Sequence, residues 1–270
     1  AEDLSARLNL PATDDEVGRL AETFDAMLAR LDGAFQRERQ FTADASHELR
    51  TPLAAMQAIL NEIREERRSP EDYEQALDDL TEETNRLHAL TEDLLHLARG
   101  ENRQIAILQN VDLTILLQDI GDSLRPLAES KGLALDFAVS DGLTLSGDSD
   151  ALIRLFVNLL DNAIKYTPQG RISLTAVQES GGTVKITIMD TGVGIADEHL
   201  PHIFERFYRV DRSRSSGGSG LGLAIASEIV QAHGGTIEVF SRVGEGTTFI
   251  LRFPDRMKSS LPHVATNAAP

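Results

Sequence analysis

Apolar residues in the first hundred positions step by three and four, and that spacing leaves the segment few folds to choose from. In TDDEVGRLAETFDAMLARL the steps fall on Val17, Leu20, Phe24, Met27 and Leu31, with Thr13 or Asp14 placed to cap the helix. A second seam runs through Phe41, Ala45, Leu49, Leu53, Met56, Leu60 and Ile63. RRSPED interrupts it, with Ser69 as a cap and Pro70 in the first turn of the next helix. There Tyr73, Leu80, Leu87 and Leu94 keep strict heptad spacing, and Leu77, Thr84, Thr91 and Ala98 fill the layer between. Two helices of about 30 residues joined by a short turn make an antiparallel hairpin. One hairpin cannot bury its stripe on both sides, so the pattern predicts two copies pairing into a four-helix bundle, a homodimer.

After Gly100, a helix stop, the texture changes. Strand-like runs appear at 133–139, 171–177, 183–190, 236–242 and 247–253, and they alternate with helical patterns near 113–130, 149–166 and 220–233. ESGG and VGEG read as hairpin turns. The pattern predicts an α/β sandwich, helices on one face of a mostly antiparallel sheet, followed by a disordered tail over 257–270. A chain of 270 residues suits about two domains at ~150 residues each. Its net charge of −17 disfavours nucleic acid and anionic membrane surfaces. The lack of cysteine excludes disulfides, thiolate metal sites and cysteine catalysis. No apolar run approaches the ~18 residues of a membrane span, so the chain is not expected to enter a membrane by itself. The opening Ala sets the expectation of a missing upstream part.

FTADASHELRTPL, residues 41–53, lies inside the second seam yet carries a proline in mid-pattern and a histidine beside a glutamate. His47 stands two residues from both Ala45 and Leu49, about 200° around a helix, so it projects away from the apolar stripe. A core histidine would lie on the stripe, whereas a solvated one can be reached by another domain. Periodicity by itself leaves the bland alternative open, because most surface histidines do nothing. Glu48 is adjacent and able to bond the ring nitrogen that does not react. Pro52 lacks the donor for the carbonyl of residue 48, and an unrelieved interior proline costs ~3 kcal/mol. The helix is therefore expected to bend just beyond His47, strain of a kind that functional sites often carry. A zinc reading fails, since HELRT has Thr51 where HExxH needs a second histidine. Of His88, His96, His199, His202, His233 and His263, only His199 and His202 stand close together, and that pair reads as surface decoration.

A second constellation lies in SDALIRLFVNLLDNAIKYTPQG. Leu152, Leu155, Leu159 and Ala163 make one helical face, while Asn158, Asn162 and Lys165 recur on another. Two amide oxygens and an ammonium there suit Mg²⁺ and the phosphates it bridges, although a solvated polar face has the same composition. In DTGVGI, Asp190 ends a strand, and Gly192 and Gly194 allow close backbone approach to a flat ligand. SGGSGLGLAIASEIV places Gly218, Gly220 and Gly222 at a helix start, where backbone N–H groups favour phosphate. Each glycine cluster is a weak signal alone. Their order and spacing with the Asn helix are a much stronger one, and there is neither a GxxxxGK[ST] loop nor a dinucleotide-binding setting.

In these motifs the chain resembles the cytoplasmic part of a sensor histidine kinase of two-component systems, over nearly its whole length. SHELRTPL resembles the H box, NLLDNAIKYT the N box, DTGVGI and GGSGLGL the glycine boxes, IFERFYRVD the F box and VGEGTTF the last glycine motif. DEVGRLAETFDAML resembles the second helix of a HAMP signal relay. The resemblance implies a relay half over 1–34, a dimerisation and phosphotransfer hairpin over 35–100 and a Bergerat-type ATP-binding domain over 101–256. It implies His47 as phosphoacceptor, Glu48 as its acid/base partner and Thr51 as the residue that positions water for phosphatase activity. It further implies Asn158 and Asn162 on Mg²⁺, Lys165 and Tyr166 on the phosphates of ATP, and Asp190 on the adenine amino group. Gly192, Gly194, Gly218, Gly220, Leu221 and Gly222 would line the nucleotide. Phe204 and Phe207 would anchor a lid, with Arg209 directed at the γ-phosphate. The implied partners are a second copy and the receiver domain of a response regulator. The implied place is the cytoplasmic side of a bacterial inner membrane, reached through an upstream sensor.

Two other classes compete with that reading. Gyrase-, mismatch-repair- and chaperone-type ATPases resemble one another in a glutamate four residues before the Mg²⁺ asparagine, a position that here is Asn158. Without that base, direct hydrolysis should be slow. A non-enzymatic dimeric relay would not need the Asn and lid motifs.

Overall fold

The computed structural model describes residues 16–65, 68–100, 109–210 and 218–254. The proposed cap at Thr13 or Asp14 and the tail over 257–270 lie outside them. The chain forms two compact units, one ending at Leu94 and one beginning at Leu95.

The first unit is helical. α1 (Glu16–Glu65) runs for 50 residues and α2 (Pro70–Gly100) for 31. α1 exceeds the length expected from its second seam because it crosses residue 35 without a break and continues through Pro52, which is buried. Ser69 caps α2 as its sequence predicts: its hydroxyl accepts the Asp72 N–H at 3.2 Å, and the Asp72 carboxylate accepts the Ser69 N–H at 3.0 Å. The hydroxyl oxygen of Thr84 on α2, which donates to the Leu80 carbonyl, lies 3.6 Å from Met56 Sδ on α1, a contact between the two helices.

The expected layer of Leu77, Thr84, Thr91 and Ala98 is largely uncovered within the single chain. Of the two rows flanking Tyr73, Leu80, Leu87 and Leu94, the buried one is Ala76, Leu90 and Leu97, whereas Leu77, Thr84 and Ala98 are exposed. Both rows lie three or four residues from the heptad positions, so spacing cannot choose between them. The half-buried Glu83 in the buried row makes that row look polar, and Leu77 makes the other look apolar.

The second unit carries a five-stranded sheet in the order β2-β4-β5-β7-β6. β2 (Ala134–Val139) pairs parallel with β4 (Arg171–Gln178), and every other pairing is antiparallel, through β5 (Val184–Asp190), β7 (Gly246–Phe253) and β6 (Thr236–Arg242). Ile172, Leu174 and Ala176 of β4, Ile186 and Ile188 of β5, and Leu251 and Phe253 of β7 are buried on one face of the sheet. α3 (Leu113–Ser130), α4 (Ser149–Tyr166) and α5 (Gly222–Ala232) bring their apolar stripes to the same core. On α4 that stripe is Leu152, Leu155, Phe156, Leu159, Leu160, Ala163 and Ile164. Each Leu, Ile or Phe of that stripe is worth about 2 kcal/mol when removed from water. Turning α4 by one residue would forfeit several of them, so the polar face carrying Asn158 and Asn162 is fixed by the core.

A small sheet escaped the sequence reading: β1 (Gln109–Asp112) pairs antiparallel with β3 (Thr144–Gly147). Each strand has four residues and one apolar side chain, Val111 or Leu145, too few to alternate visibly. Its products are helix caps. Asp112 ends β1 and accepts the Ile115 N–H, and Asp148 follows β3 and accepts the Asp150 and Ala151 N–H groups. His233, just past α5, is buried and donates from Nδ1 to the Ile229 carbonyl at 2.7 Å. Its Nε2 accepts the Asp148 N–H at 3.1 Å, tying the end of α5 to the start of α4.

Candidate functional site

On α1, His47 and Thr51 are exposed and Glu48 is half-buried, matching the off-seam placement expected for His47. The Thr51 hydroxyl donates to the His47 carbonyl at 3.2 Å. Among the described residues no hydrogen bond joins Glu48 to the imidazole. Neighbouring side chains on a helix diverge by about 100°, so adjacency in sequence is a poor guide to contact there.

In the second unit the site grows from the end of β5. Asp190 is buried, and its Oδ1 accepts the Gly192 N–H at 2.8 Å and the Thr247 N–H at 3.2 Å. Burial holds its carboxyl above the ordinary carboxylate range, an effect opposed by those two N–H groups. The Val193 N–H donates to the Tyr166 carbonyl at 3.1 Å, docking the loop on the C-terminal end of α4. From the other side, the Gly244 N–H reaches the Val193 carbonyl at 2.8 Å. Gly194 has φ 68°, and a Cβ there would collide with the Arg242 carbonyl. Ser241 Oγ accepts the Ile195 N–H at 2.8 Å and donates to the Gly246 carbonyl, with the Thr247 hydroxyl 2.9 Å away. The DTGVGI loop is thus clamped between α4 and the β6–β7 hairpin.

The glycine-rich segment meets α4 from Asn158 in its middle to Lys165 in its last turn. Asn158 Nδ2 donates to the Gly222 carbonyl at 3.2 Å, which leaves Oδ1 as the acceptor suited to a cation. A Cβ on Gly218 would lie 3.3 Å from Lys165 Nζ, and that ammonium sits 5.5 Å from the centre of the exposed Tyr166 ring. Asn162 is half-buried on the same face. α5 begins after the buried Leu221 with no side chain capping its first N–H groups, the arrangement of a phosphate-binding helix terminus. Gly220, at φ 73°, packs against the backbone of Phe207, whose N–H donates to the Gly220 carbonyl at 3.0 Å. Phe207 is buried and itself has φ 62°, a conformation rare for a non-glycine residue and common at functional sites. Phe204 packs edge-on to Phe249, Arg206 pairs with Glu228 at 2.7 Å, and Arg209 is half-buried.

Asp190, Gly192, Gly194, Asn158, Asn162, Lys165, Tyr166, Gly218, Gly220, Leu221 and Gly222 therefore belong to one unit, whereas His47, Glu48 and Thr51 belong to the other. Three polar residues of the nucleotide site had no assigned role in the sequence: Thr247, Ser241 and Thr167. The first two hold the Asp190 loop. The Thr167 hydroxyl is buried without a hydrogen-bond partner. His199 is more than decoration, since its Nδ1 lies 2.8 Å from the Tyr208 hydroxyl, but His202 is exposed and paired with Glu205. A carboxylate and an unpartnered hydroxyl beside close-approach glycines, with amides, an ammonium and an open helix terminus beyond, fit a nucleotide triphosphate and its cation.

Comparison with known proteins gives the same division. Residues 37–103 match the family described as His Kinase A (phospho-acceptor) domain, and residues 147–257 match Histidine kinase-, DNA gyrase B-, and HSP90-like ATPase. The signal transduction histidine-protein kinase BaeS of Escherichia coli K12 is 40% identical over 242 residues, covering 88% of this chain and 51% of BaeS. ArlS of Staphylococcus aureus USA300 is 38% identical over 251 residues, covering 92% of this chain and 55% of ArlS. The chain spans about half the length of these relatives. The crystal structure of full-length ShkA in complex with AMPPNP superimposes with TM-score 0.60 at 32% identity, over 80% of this chain and 45% of ShkA. ThkA in complex with the response regulator TrrA shares the fold at TM-score 0.67 and 20% identity, over 85% of this chain and 67% of that one.

Proposed function

The chain belongs to the sensor histidine kinases of two-component systems, and on that premise we propose that it moves the γ-phosphoryl group of ATP to His47 and on to an aspartate of a response regulator. The observation that carries the proposal is the convergence, on one face of α4, of the Asp190 loop and the Gly218–Gly222 segment. In this reading Asp190 accepts from the adenine amino group, and Lys165 and the open start of α5 hold the phosphates. Asn158 and Asn162 present amide oxygens to Mg²⁺, which neutralises phosphate charge.

At His47, the lone pair of one ring nitrogen forms the N–P bond as the bond to the ADP oxygen breaks, and ADP departs with that electron pair. The proton on the other ring nitrogen goes to a base, and Glu48 is the carboxylate that the family resemblance assigns to it. Positioning supplies most of the catalysis in such a transfer. Water is disfavoured as the acceptor, because the position of an ATPase's base is occupied by Asn158, whose amide nitrogen already holds Gly222.

Exposed Phe24, Met27, Leu31, Leu53, Leu60 and Leu77 on the helical unit support a second copy as its partner. A relay role for the residues before 35, anchorage through a membrane sensor, and phosphatase activity through Thr51 belong to the same proposal. Among the described residues, no helix is long and apolar enough to cross a membrane.

The test is incubation of the purified chain with labelled ATP and Mg²⁺. The expected label is acid-labile and base-stable, as a phosphoramidate is, and is lost in a folded His47→Gln variant. Normal labelling of that variant would refute the assignment.

A further inference from the structure

We propose that the Thr167 hydroxyl is a second reader of the base beside Asp190, donating to the adenine ring nitrogen next to the amino group, directly or through one water. The inference rests on the nucleotide reading above and adds a specificity-determining residue to it.

Thr167 is 1% exposed, and its Oγ1 has no hydrogen-bond partner. A buried hydroxyl in that state is costly, and native structures tolerate few. The helical threonines Thr23, Thr42, Thr51, Thr81 and Thr84 satisfy their hydroxyls by donating to the carbonyl four residues earlier. Thr167 lies just past the last turn of α4, with φ −106° and ψ 98°, and makes no such bond.

Its surroundings say what could partner it. The point where a Cβ on Gly192 would stand is 2.9 Å from Thr167 Oγ1 and 2.9 Å from Asp190 Oδ1. The two oxygens are therefore separated by no more than twice that distance, with the Tyr166 carbonyl oxygen nearer still at 2.3 Å from the same point, so a bridging water or heterocycle edge would have to lie beside the Gly192 backbone. The arrangement is held from both sides, by the Val193 N–H on the Tyr166 carbonyl and by the Gly192 and Thr247 N–H groups on Asp190. An ionised carboxylate only accepts, whereas a hydroxyl can donate. Side by side they complement a heterocycle edge with an amino donor next to a ring-nitrogen acceptor, which is the amino-group edge of adenine.

The experiment titrates the purified chain with ATP and with 1-deaza-ATP in Mg²⁺, for wild type, Thr167→Val and Thr167→Ser, and measures nucleotide-free thermal unfolding of each. Valine keeps the shape and removes the hydroxyl. Thr167→Val is expected to bind ATP about fivefold to tenfold more weakly, with no fall in unfolding temperature, while Thr167→Ser stays near wild type. Wild type should lose a similar factor on 1-deaza-ATP, which Thr167→Val should not distinguish from ATP. Equal ATP affinity of wild type and Thr167→Val would overturn the inference and leave the nucleotide reading standing. A lower unfolding temperature for Thr167→Val would also overturn it, since it would mark the hydroxyl as structural. Failure of wild type to bind ATP would overturn both.

Discussion

Replacing Asp190 by asparagine separates what this residue does for the fold from what it is proposed to do for the nucleotide. Asparagine keeps an oxygen where Oδ1 accepts the Gly192 and Thr247 N–H groups, so the loop clamp survives. It also removes a charge that burial disfavours, burial being the larger influence on this carboxyl. Weaker acceptance from the two N–H groups and relief of desolvation oppose each other, so folding stability should change by no more than about 1 kcal/mol. Binding has no such cancellation. An amide nitrogen facing the adenine amino group sets donor against donor and forfeits a charge-assisted bond of roughly 1.5–3 kcal/mol, about a 10- to 150-fold rise in the Kd for ATP. The pH dependence follows from the same cause. A folded-state carboxyl raised above its ordinary 3.8 binds its proton more tightly than in the unfolded chain. Its contribution to stability is therefore greatest below that value and declines as pH rises through the folded-state value. Asp190→Asn should lack this decline. Calorimetric titration with ATP and thermal unfolding across pH 3 to 7 test both parts; an unchanged Kd, or a stability loss beyond about 2 kcal/mol, would refute the reasoning.

Gly194→Ala should cost more than about 2 kcal/mol of stability in the second unit, because φ 68° and the Arg242 carbonyl both oppose a Cβ; thermal unfolding with an ATP titration checks it. Asn162→Asp is expected to weaken ATP binding or phosphoryl transfer while sedimentation still reports the helical unit's oligomer, since the charge and geometry at the cation change in a separate core. Thr51→Ala should leave hairpin stability unchanged or raise it by about 0.5 kcal/mol, alanine being the better helix former. The same variant should slow decay of the phosphorylated regulator in the presence of ADP, and equal decay rates would make Thr51 purely structural.

The legible parts of the chain were those where one signal repeats or several agree. α3 and α4 read at their observed ends because an amphipathic stripe starts directly after a capping aspartate, Asp112 or Asp148. The five strands of the large sheet read from β-branched runs between turn glycines. What stayed hidden depends on three-dimensional neighbours. Ala76 and Leu77 lie in equivalent rows by spacing, yet the first is buried and the second exposed. His233 gives no sign in sequence that it bridges α5 and Asp148, since its two partners lie 4 and 85 residues away. Thr167 was quoted within a motif, but only burial distinguishes an unpartnered hydroxyl from the back-bonded ones on the helices. For Glu48 the sequence supplied only adjacency to His47, and successive side chains on a helix diverge by about 100°.

The unbroken course of α1 gives the residues near Glu16 and the imidazole of His47 a common rotational phase. Each residue inserted between them turns one end against the other by about 100°, and seven restore the phase to within about 20°. Any foreign input module spliced onto this chain must therefore be joined by length modulo seven rather than by length alone, and output plotted against linker length should oscillate with that period.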